Sequence, residues 1–226
     1  AVLSSDGRHF SAGMDLSVFA NAGTLGTVDV AARERFRHQL KKLQGSFHAI
    51  AEARFPVIAA IQGGCIGGGV DLASACCLRY CSRDAWFCIQ EINIGMMADV
   101  GTMNRMPKQL PEAVMRELAY TGDRLGAERA ERLGFVNGLF DDPAATVAGA
   151  LAVAQKIAAR APAAVAASKE MIGYSRDHSV AESFSYMNAL QPGVFDPDDI
   201  ARAVAAQKSG QPAQFGDLAP IAPPLG

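Results

Sequence analysis

The sequence predicts an α/β fold in its first half and a helical second half. In residues 1 to about 110, short β-branched runs alternate with glycine-rich turns and amphipathic segments, a pattern typical of strands joined by crossover helices. After Pro107, Ala, Glu and Arg dominate the composition. We therefore predict an α/β core over residues 1–140 and a helical region with an extended tail over residues 141–226. The chain opens on a strand that enters a turn, so we expect further strands of the sheet to precede it.

Hydrophobic spacing indicates the individual elements. Residues 28–53 have apolar side chains at helical spacing and stop before Phe55-Pro56, which ends a helix. The continuous apolar run 57–61 predicts a strand that is buried on both faces of a parallel sheet. The other predicted elements are a helix at 67–77, strands at 79–81, 86–89 and within 134–140, and helices near 111–121, 126–133, 144–160, 162–174, 179–190 and 197–209.

Composition excludes several classes of protein. The 21 Lys and Arg residues are matched by 23 Asp and Glu, which leaves a net charge of -2 and no basic excess for nucleic acid. No stretch has the roughly 18 apolar residues of a membrane span. Without a signal peptide or a Ser-Lys-Leu terminus, we expect a cytoplasmic protein that binds a small molecule or another protein.

The cysteines indicate neither disulfides nor a metal. They are odd in number and include no Cys-x-x-Cys pair, unlike disulfide frameworks and zinc ribbons. We predict reduced, mostly buried thiols and no metal site. The five are Cys65, Cys76, Cys77, Cys81 and Cys88.

A glycine-rich turn at 62–71 is the first candidate site. It has three consecutive glycines at the start of a predicted helix, where each costs roughly 1 kcal/mol relative to alanine. A ligand can approach such a backbone, and the unpaired N–H groups of a helix start suit a developing oxyanion. The alternative, that the glycines allow close packing of helix and strand, stays open. The segment fits neither a Walker A loop nor a dinucleotide fingerprint.

Three carboxylates are the second candidate site. Asp71, Glu91 and Asp99 are flanked by apolar residues and have no neighbouring Lys or Arg. Burial of an unpaired carboxylate is costly and raises its pKa, so such residues are candidates for proton transfer. Taken singly, an acid of this kind is more often a helix cap, a turn residue or an ion-pair partner than a catalytic group.

Three motifs together resemble the crotonase (enoyl-CoA hydratase/isomerase) superfamily. They are His9-Phe-Ser-Ala-Gly-Met-Asp-Leu16, the run from Pro56 to Leu72, and Tyr120-Thr-Gly-Asp123 followed by Ala130-Glu-Arg-Leu-Gly-Phe-Val-Asn137. The resemblance covers essentially the whole chain. It implies a ClpP/crotonase-like fold, a spiral of ββα units whose C-terminal helices form a homotrimer or a dimer of trimers.

The resemblance also implies a substrate and its contacts. The family binds acyl-CoA thioesters and uses no metal or redox cofactor. The positions matching its two oxyanion-hole N–H donors are Met14 and Gly68. Those matching its coenzyme A pocket are Ala12, Asp15 and Leu16.

The acids resemble those of one branch of the family, the dienoyl-CoA isomerases, which have Asp, Glu and Asp where this chain has Asp71, Glu91 and Asp99. The implied reaction converts 3,5-dienoyl-CoA to 2,4-dienoyl-CoA, with Glu91 acting at C2, Asp99 at C6 and Asp71 tuning the pair. Enoyl-CoA hydratases have glutamates at the first two positions, so hydration is the nearest alternative. A non-catalytic acyl-CoA-binding homologue is another, whereas a peptidase would need a Ser–His pair that the sequence does not indicate.

The chain departs from the isomerase pattern at three positions. Cys77 stands where the branch usually has aspartate, and Asn104 and Met106 replace commoner residues. None of these changes falls on the three acids. We expect Cys77 to affect a structural hydrogen bond at the start of a strand.

Overall fold

The computed structural model describes residues 1–15, 17 and 29–220. The strands are β1 (Val2–Leu3), β2 (Ile58–Ile61), β3 (Gly64–Ile66), β4 (Leu78–Ser82), β5 (Trp86–Cys88), β6 (Leu125–Gly126) and β7 (Gly138–Phe140). The α-helices are α1 (Val30–Glu52), α2 (Gly68–Ala75), α3 (Thr102–Arg105), α4 (Glu112–Thr121), α5 (Ala127–Arg132), α6 (Pro143–Ala158), α7 (Pro162–Asp177), α8 (Val180–Val194) and α9 (Pro197–Ser209). Two 3₁₀ helices, Gln90–Ile94 and Met106–Lys108, precede and follow α3.

Two small sheets organise the first part of the chain. One is a parallel sheet in the order β1-β2-β4-β7. In the other, of order β3-β5-β6, β3 and β5 are parallel while β5 and β6 are antiparallel. Because β2 is an interior strand, all four of its residues are buried, as its apolar run predicts. The α/β prediction for this part of the chain is confirmed.

The core consists of strand and helix residues packed around β2 and β4. Phe87 and Phe135 are fully buried and meet edge to face, with ring centroids 5.1 Å apart. Aromatic pairs in this arrangement add to the stabilisation from burial alone. The packing ties β5 to the residues that precede β7.

A buried arginine joins α2 to β4. Arg79 is 7% exposed and donates hydrogen bonds to the backbone carbonyls of Ala73 (3.2 Å), Cys76 (2.9 Å) and Phe135 (2.5 Å). Its guanidinium also lies 4.7 Å from the centre of the Phe135 ring. Carbonyl oxygens therefore take the place of a carboxylate partner in satisfying this charge.

The chain forms two compact units, residues 1–53 with 57–151, and residues 54–56 with 152–226. The second unit contains α7, α8 and α9. Within it, Tyr174 of α7 stacks on Tyr186 of α8 at 4.1 Å, and Ser179 and Glu182 form a capping box at the start of α8. None of the helices described has both the length and the apolarity to cross a membrane. The expected division at residue 140 stays a prediction.

Several predicted elements are shorter in the structure. The first helix begins at Val30 because the Asp29 side chain accepts a hydrogen bond from the Ala32 N–H (2.6 Å) and caps it. The last strand is confined to β7, since the N–H groups of Phe135 and Val136 both donate to the carbonyl of Ala130 and close the end of α5. The short strands β3 and β6 and the 3₁₀ helices have too few residues for a periodic signal and were not predicted.

Candidate active site

The glycine-rich turn joins β3 to α2. Gly67 has φ +51° and ψ -117°, a conformation that L side chains rarely adopt. Its N–H donates to the carbonyl of Cys88 (2.9 Å), and its own carbonyl accepts from the N–H of Val70 (2.7 Å). Gly67 therefore both reverses the chain and anchors the first turn of α2 beside β5.

The segment that carries Met14 lies beside this turn. Ser11 bridges to Cys65 in parallel fashion, and its carbonyl accepts from the N–H of Ile66 (3.0 Å). A Cβ placed on Gly69 would come within 2.7 Å of the Ser11 Cβ, so only glycine permits this approach. Close packing, one of the two alternatives left open from sequence, therefore occurs at Gly69.

The two predicted oxyanion donors are positioned as follows. Gly68 is the first residue of α2, where helix geometry supplies no intrahelical acceptor, and a Cβ placed on it would meet no atom within 4 Å. Met14 is exposed. Within the described part of the chain, neither N–H donates a hydrogen bond. Both therefore stay available to an acceptor from a ligand.

The predicted coenzyme A contacts lie on the same loop. Ala12 and Asp15 are exposed. The Asp15 carboxylate accepts a hydrogen bond from the N–H of Ser17 (2.9 Å), which lowers the Asp15 pKa. Leu16 lies outside the described residues.

Asp71 is the most buried of the three predicted acids. It lies in the first turn of α2 with no exposed surface. One carboxylate oxygen, Oδ1, accepts from the backbone N–H of Thr102 (2.6 Å). The other, Oδ2, is buried without a hydrogen-bond partner among the described residues.

Glu91 faces the glycine-rich turn. It belongs to the 3₁₀ helix Gln90–Ile94, and a Cβ placed on Gly67 would lie 3.0 Å from Glu91 Oε1. Its Oε2 is buried and, in the residues the structure describes, has no hydrogen-bond partner. A carboxylate with a free oxygen beside the start of α2 is placed to exchange a proton with a bound molecule.

Asp99 lies in the segment between this 3₁₀ helix and α3 and is half-buried. Burial raises the pKa of Asp71 and of Glu91, and the charge on Asp99 raises both further. The charge on Asp71 also raises the pKa of Glu91. The three acids therefore interact electrostatically.

Opposing contacts moderate these shifts. The Thr102 hydrogen bond and the positive charge of Arg105 lower the pKa of Asp71, though less than burial raises it. Burial raises the pKa of Asp99, against a weaker effect of its own backbone N–H. Thr102 and Arg105 were not singled out from the sequence. The available signal was the Gly101-Thr102 pair that follows Asp99. Because Thr102 donates through its backbone N–H, however, its residue type does not indicate this role.

A second set of contacts missed from sequence holds the loop before Met14. Buried Gln62 donates to the carbonyls of Ser5 (2.7 Å) and Gly7 (2.9 Å). His9 accepts the N–H of Gly64 at Nδ1 (2.8 Å), which makes this imidazole part of the turn. A polar Gln62 directly after a buried strand was the signal for the first of these contacts.

Two of the cysteines lie near the acids, since the charge on Asp71 raises the pKa of Cys65 and the charge on Glu91 raises that of Cys88. All five thiols are free, and four of them are buried. The N–H of half-buried Cys77 donates to the carbonyl of Val57 (2.8 Å) at the start of β4. Met106 is part of the core, whereas Asn104 is exposed. Over residues 1–15, 17 and 29–220, no three His, Cys, Asp or Glu side chains are arranged to hold a metal ion.

We expect Gly67→Ala to destabilise the protein by about 1–3 kcal/mol, because alanine is strained in this conformation and its Cβ would press on Glu91. Gly68→Ala is the matched control: its Cβ points into open space, and alanine favours a helix. Urea unfolding of both variants measures the difference. Equal losses at the two positions would contradict the assigned role of Gly67.

The raised pKa of Glu91 also predicts how stability depends on pH. Between its ordinary value of 4.5 and its raised value, the folded protein keeps a proton that the unfolded chain releases, so stability falls as pH rises through this window. Glu91→Gln removes this effect. The free energy of unfolding of the variant, relative to wild type, should therefore grow from about pH 4 upward and then level off. A difference that shrinks with rising pH would contradict the assignment.

Comparisons with known proteins place these observations in context. The family model described as enoyl-CoA hydratase/isomerase matches residues 1–217. The mitochondrial Delta(3,5)-Delta(2,4)-dienoyl-CoA isomerase of Homo sapiens is 39% identical over 208 residues, which is 91% of this chain and 63% of the human protein. The peroxisomal enzyme of the same name from Arabidopsis thaliana is 36% identical over 220 residues, covering 96% of this chain and 79% of the plant protein.

Solved structures give the same fold. An enoyl-CoA hydratase from Polaromonas sp. JS666 superposes with a TM-score of 0.85 at 25% identity, over 95% of this chain and 81% of that structure. An enoyl-CoA hydratase from Mycobacterium tuberculosis H37Rv has a TM-score of 0.77 at 34% identity, over 96% of this chain and 80% of that structure. These similarities confirm the predicted crotonase fold.

The comparisons also correct one prediction. The human relative is named mitochondrial and the plant relative peroxisomal, so the prediction of a cytoplasmic protein is wrong. That prediction depended on the lack of recognisable targeting signals in the sequence. The chain spans less than two thirds of the length of the human relative.

Proposed function

The chain belongs to the enoyl-CoA hydratase/isomerase family, and we propose that it converts 3,5-dienoyl-CoA to 2,4-dienoyl-CoA. The observation that carries this proposal is a set of three acids rather than two: Asp71 in the first turn of α2, Glu91 beside Gly67, and Asp99, whose charge raises the pKa of both. Relatives named as dienoyl-CoA isomerases support it at 36–41% identity over most of the chain.

The first step of the proposed reaction is removal of a proton from C2. The Glu91 carboxylate takes this proton, and the electron pair passes through the thioester carbonyl to give an enolate. The N–H groups of Met14 and Gly68 hold the enolate oxygen, and each such donor contributes about 3–4 kcal/mol to lowering the barrier. The open space at Gly68 supports this placement of the thioester.

The second step delivers a proton to C6. The negative charge is shared among C2, C4 and C6 of the conjugated chain, so protonation at C6 by Asp99 leaves double bonds at C2 and C4. The reaction needs one ionised and one protonated carboxyl at the same pH. The charge on Asp99 raises the pKa of Glu91, and this repulsion disfavours ionisation of both groups at once. Asp71, held by Thr102, is assigned to tuning this pair, and its charge raises the pKa of Glu91.

Substrate binding follows from the same loop. Ala12, Asp15 and Leu16 are proposed to line the adenine and ribose pocket of coenzyme A. The first two are exposed beside the segment that carries Met14, which supports a contact with a ligand that extends from the thioester. No metal or redox cofactor has a step in this reaction scheme.

Hydration of 2-enoyl-CoA is the second candidate function. It is favoured by the solved structures named enoyl-CoA hydratases and by Asp71 and Glu91, which occupy the hydratase positions. Purified protein should be assayed with both substrates. A rise in 2,4-diene absorbance from 3,5-dienoyl-CoA supports isomerisation, whereas loss of enoyl absorbance without that rise supports hydration. Binding without either reaction would indicate a non-catalytic acyl-CoA binder.

A homotrimer, alone or paired into a hexamer, is the proposed assembly. The second unit exposes large apolar side chains on and between its helices, and such surfaces mark contacts between proteins. They include Ile172, Val180, Phe184, Met187, Phe195 and Ile200. Sedimentation equilibrium of the protein tests this assembly, and a monomeric mass would overturn it.

A further inference from the structure

The segment that carries Asp99 is irregular: Ala98 and Val100 are buried on either side of Asp99, and the backbone hydrogen bonds that hold the segment lie near its ends. It runs between the 3₁₀ helix Gln90–Ile94 and α3. Near its start, the N–H of Met96 donates to the carbonyl of Glu91 (2.9 Å). Beyond its end, the N–H of Thr102 donates to Asp71 (2.6 Å). A catalytic group on such a segment needs support between these points to keep its direction.

Helix α1 supplies that support. The side-chain amide of Gln44 donates a hydrogen bond from Nε2 to the backbone carbonyl of Asp99 (2.7 Å). Through this hydrogen bond, α1 holds the backbone of the segment at Asp99. It acts on the main chain of Asp99 and leaves the carboxyl group free to react.

The next turns of α1 make a second connection. His48 lies 3.3 Å through Nδ1 from Nη2 of Arg105, and its Nε2 lies 3.2 Å from Oε1 of Glu52. With Gln44, these α1 residues recur every four positions, so they share one face of the helix. Arg105 is buried, and a Cβ on Gly101 would overlap its guanidinium. One face of α1 therefore contacts the segment at Asp99 and just beyond it.

We propose that Gln44 is a positioning residue for Asp99, which fixes the direction from which the C6 proton is delivered. This inference rests on the proposed isomerase function. The donor is the essential feature, because an acceptor at the same place would face the Asp99 carbonyl oxygen without a shared proton. The contact between His48 and Arg105 connects α1 to α3, which follows the segment.

We expect Gln44→Ala to lower kcat for isomerisation by about tenfold, the effect of one lost hydrogen bond of about 1.4 kcal/mol, with KM unchanged. Exchange of the C2 proton with D₂O needs Glu91 but not Asp99, so it should keep its wild-type rate. Gln44→Glu has the same shape but, when ionised, no N–H donor, and should behave like Gln44→Ala. Gln39→Ala, an exposed glutamine on the same helix, is the matched control and should match wild type.

A second measurement does not depend on activity. Amide hydrogen exchange of peptides covering 95–105 should be faster in Gln44→Ala than in wild type or Gln39→Ala. Equal exchange in the three proteins would overturn the inference, as would an equal loss of C2 exchange and isomerisation in Gln44→Ala. If the wild type does not isomerise the diene, the proposed function fails, while amide exchange still decides whether Gln44 holds the segment.

Discussion

Glu91→Gln should lower kcat for isomerisation by about 10³-fold, because an amide cannot accept the C2 proton and general-base catalysis contributes 10²–10⁴-fold in enzymes. Exchange of the C2 proton with D₂O should be lost to the same extent. Glutamine keeps the size of the side chain beside Gly67, so affinity for 2,4-dienoyl-CoA should survive. Diene absorbance measures turnover, and calorimetric titration measures binding.

The control for this variant is Glu112→Gln. Glu112 lies on the surface of α4 and pairs with Arg116 (2.6 Å), and exposed ion pairs of this kind contribute little to stability. It should therefore match wild type in turnover and binding. A loss of only a few-fold in Glu91→Gln, with C2 exchange intact, would show that another group removes the proton. Full activity in both variants would contradict the placement of the reaction at this site.

Asp99→Asn should separate the two proton transfers. Because Asp99 is assigned to C6, its amide variant should lose isomerisation by about 10²–10³-fold while C2 exchange continues through Glu91. The measurement compares the rate of diene formation with the rate of deuterium entry at C2, followed by mass spectrometry. In Glu91→Gln both rates fall, whereas in Asp99→Asn only the first does.

Asp217→Asn, at an exposed aspartate in the second unit, is the control for Asp99→Asn. A parallel fall of both rates in Asp99→Asn would mean that Asp99 supports the whole site rather than delivering the C6 proton. If the protein is instead a hydratase, Asp99→Asn should leave hydration largely intact, since that reaction uses Asp71 and Glu91. The same variant thus discriminates between the two candidate functions.

The sequence could predict the reacting groups better than the residues that hold them in place. Asp71, Glu91 and Asp99 are detectable because carboxylates among apolar neighbours are rare. The turn at Gly67 is detectable because three glycines weaken a helix. That the three acids act at one site was an expectation from the family resemblance. Their electrostatic interaction becomes visible only in the structure.

The residues that hold the acids in place, Thr102 and Gln44, could not be predicted from the sequence. Thr102 acts through its backbone N–H, which every residue except proline has. Gln44 is exposed on a helix, and an exposed glutamine is indistinguishable in sequence from any solvent-facing residue. The segment at 95–101 has no repeating pattern, so its path depends on distant contacts that no local signal records.

Arg79 explains how α2 can begin with glycine and still be a stable helix. Its guanidinium binds carbonyl oxygens of Ala73 and Cys76, at the carboxyl end of α2, where a positive charge interacts favourably with the helix dipole. The helix is therefore stabilised at its carboxyl end. The N–H of Gly68, in the first turn, therefore need not be held by the protein and can bind a ligand.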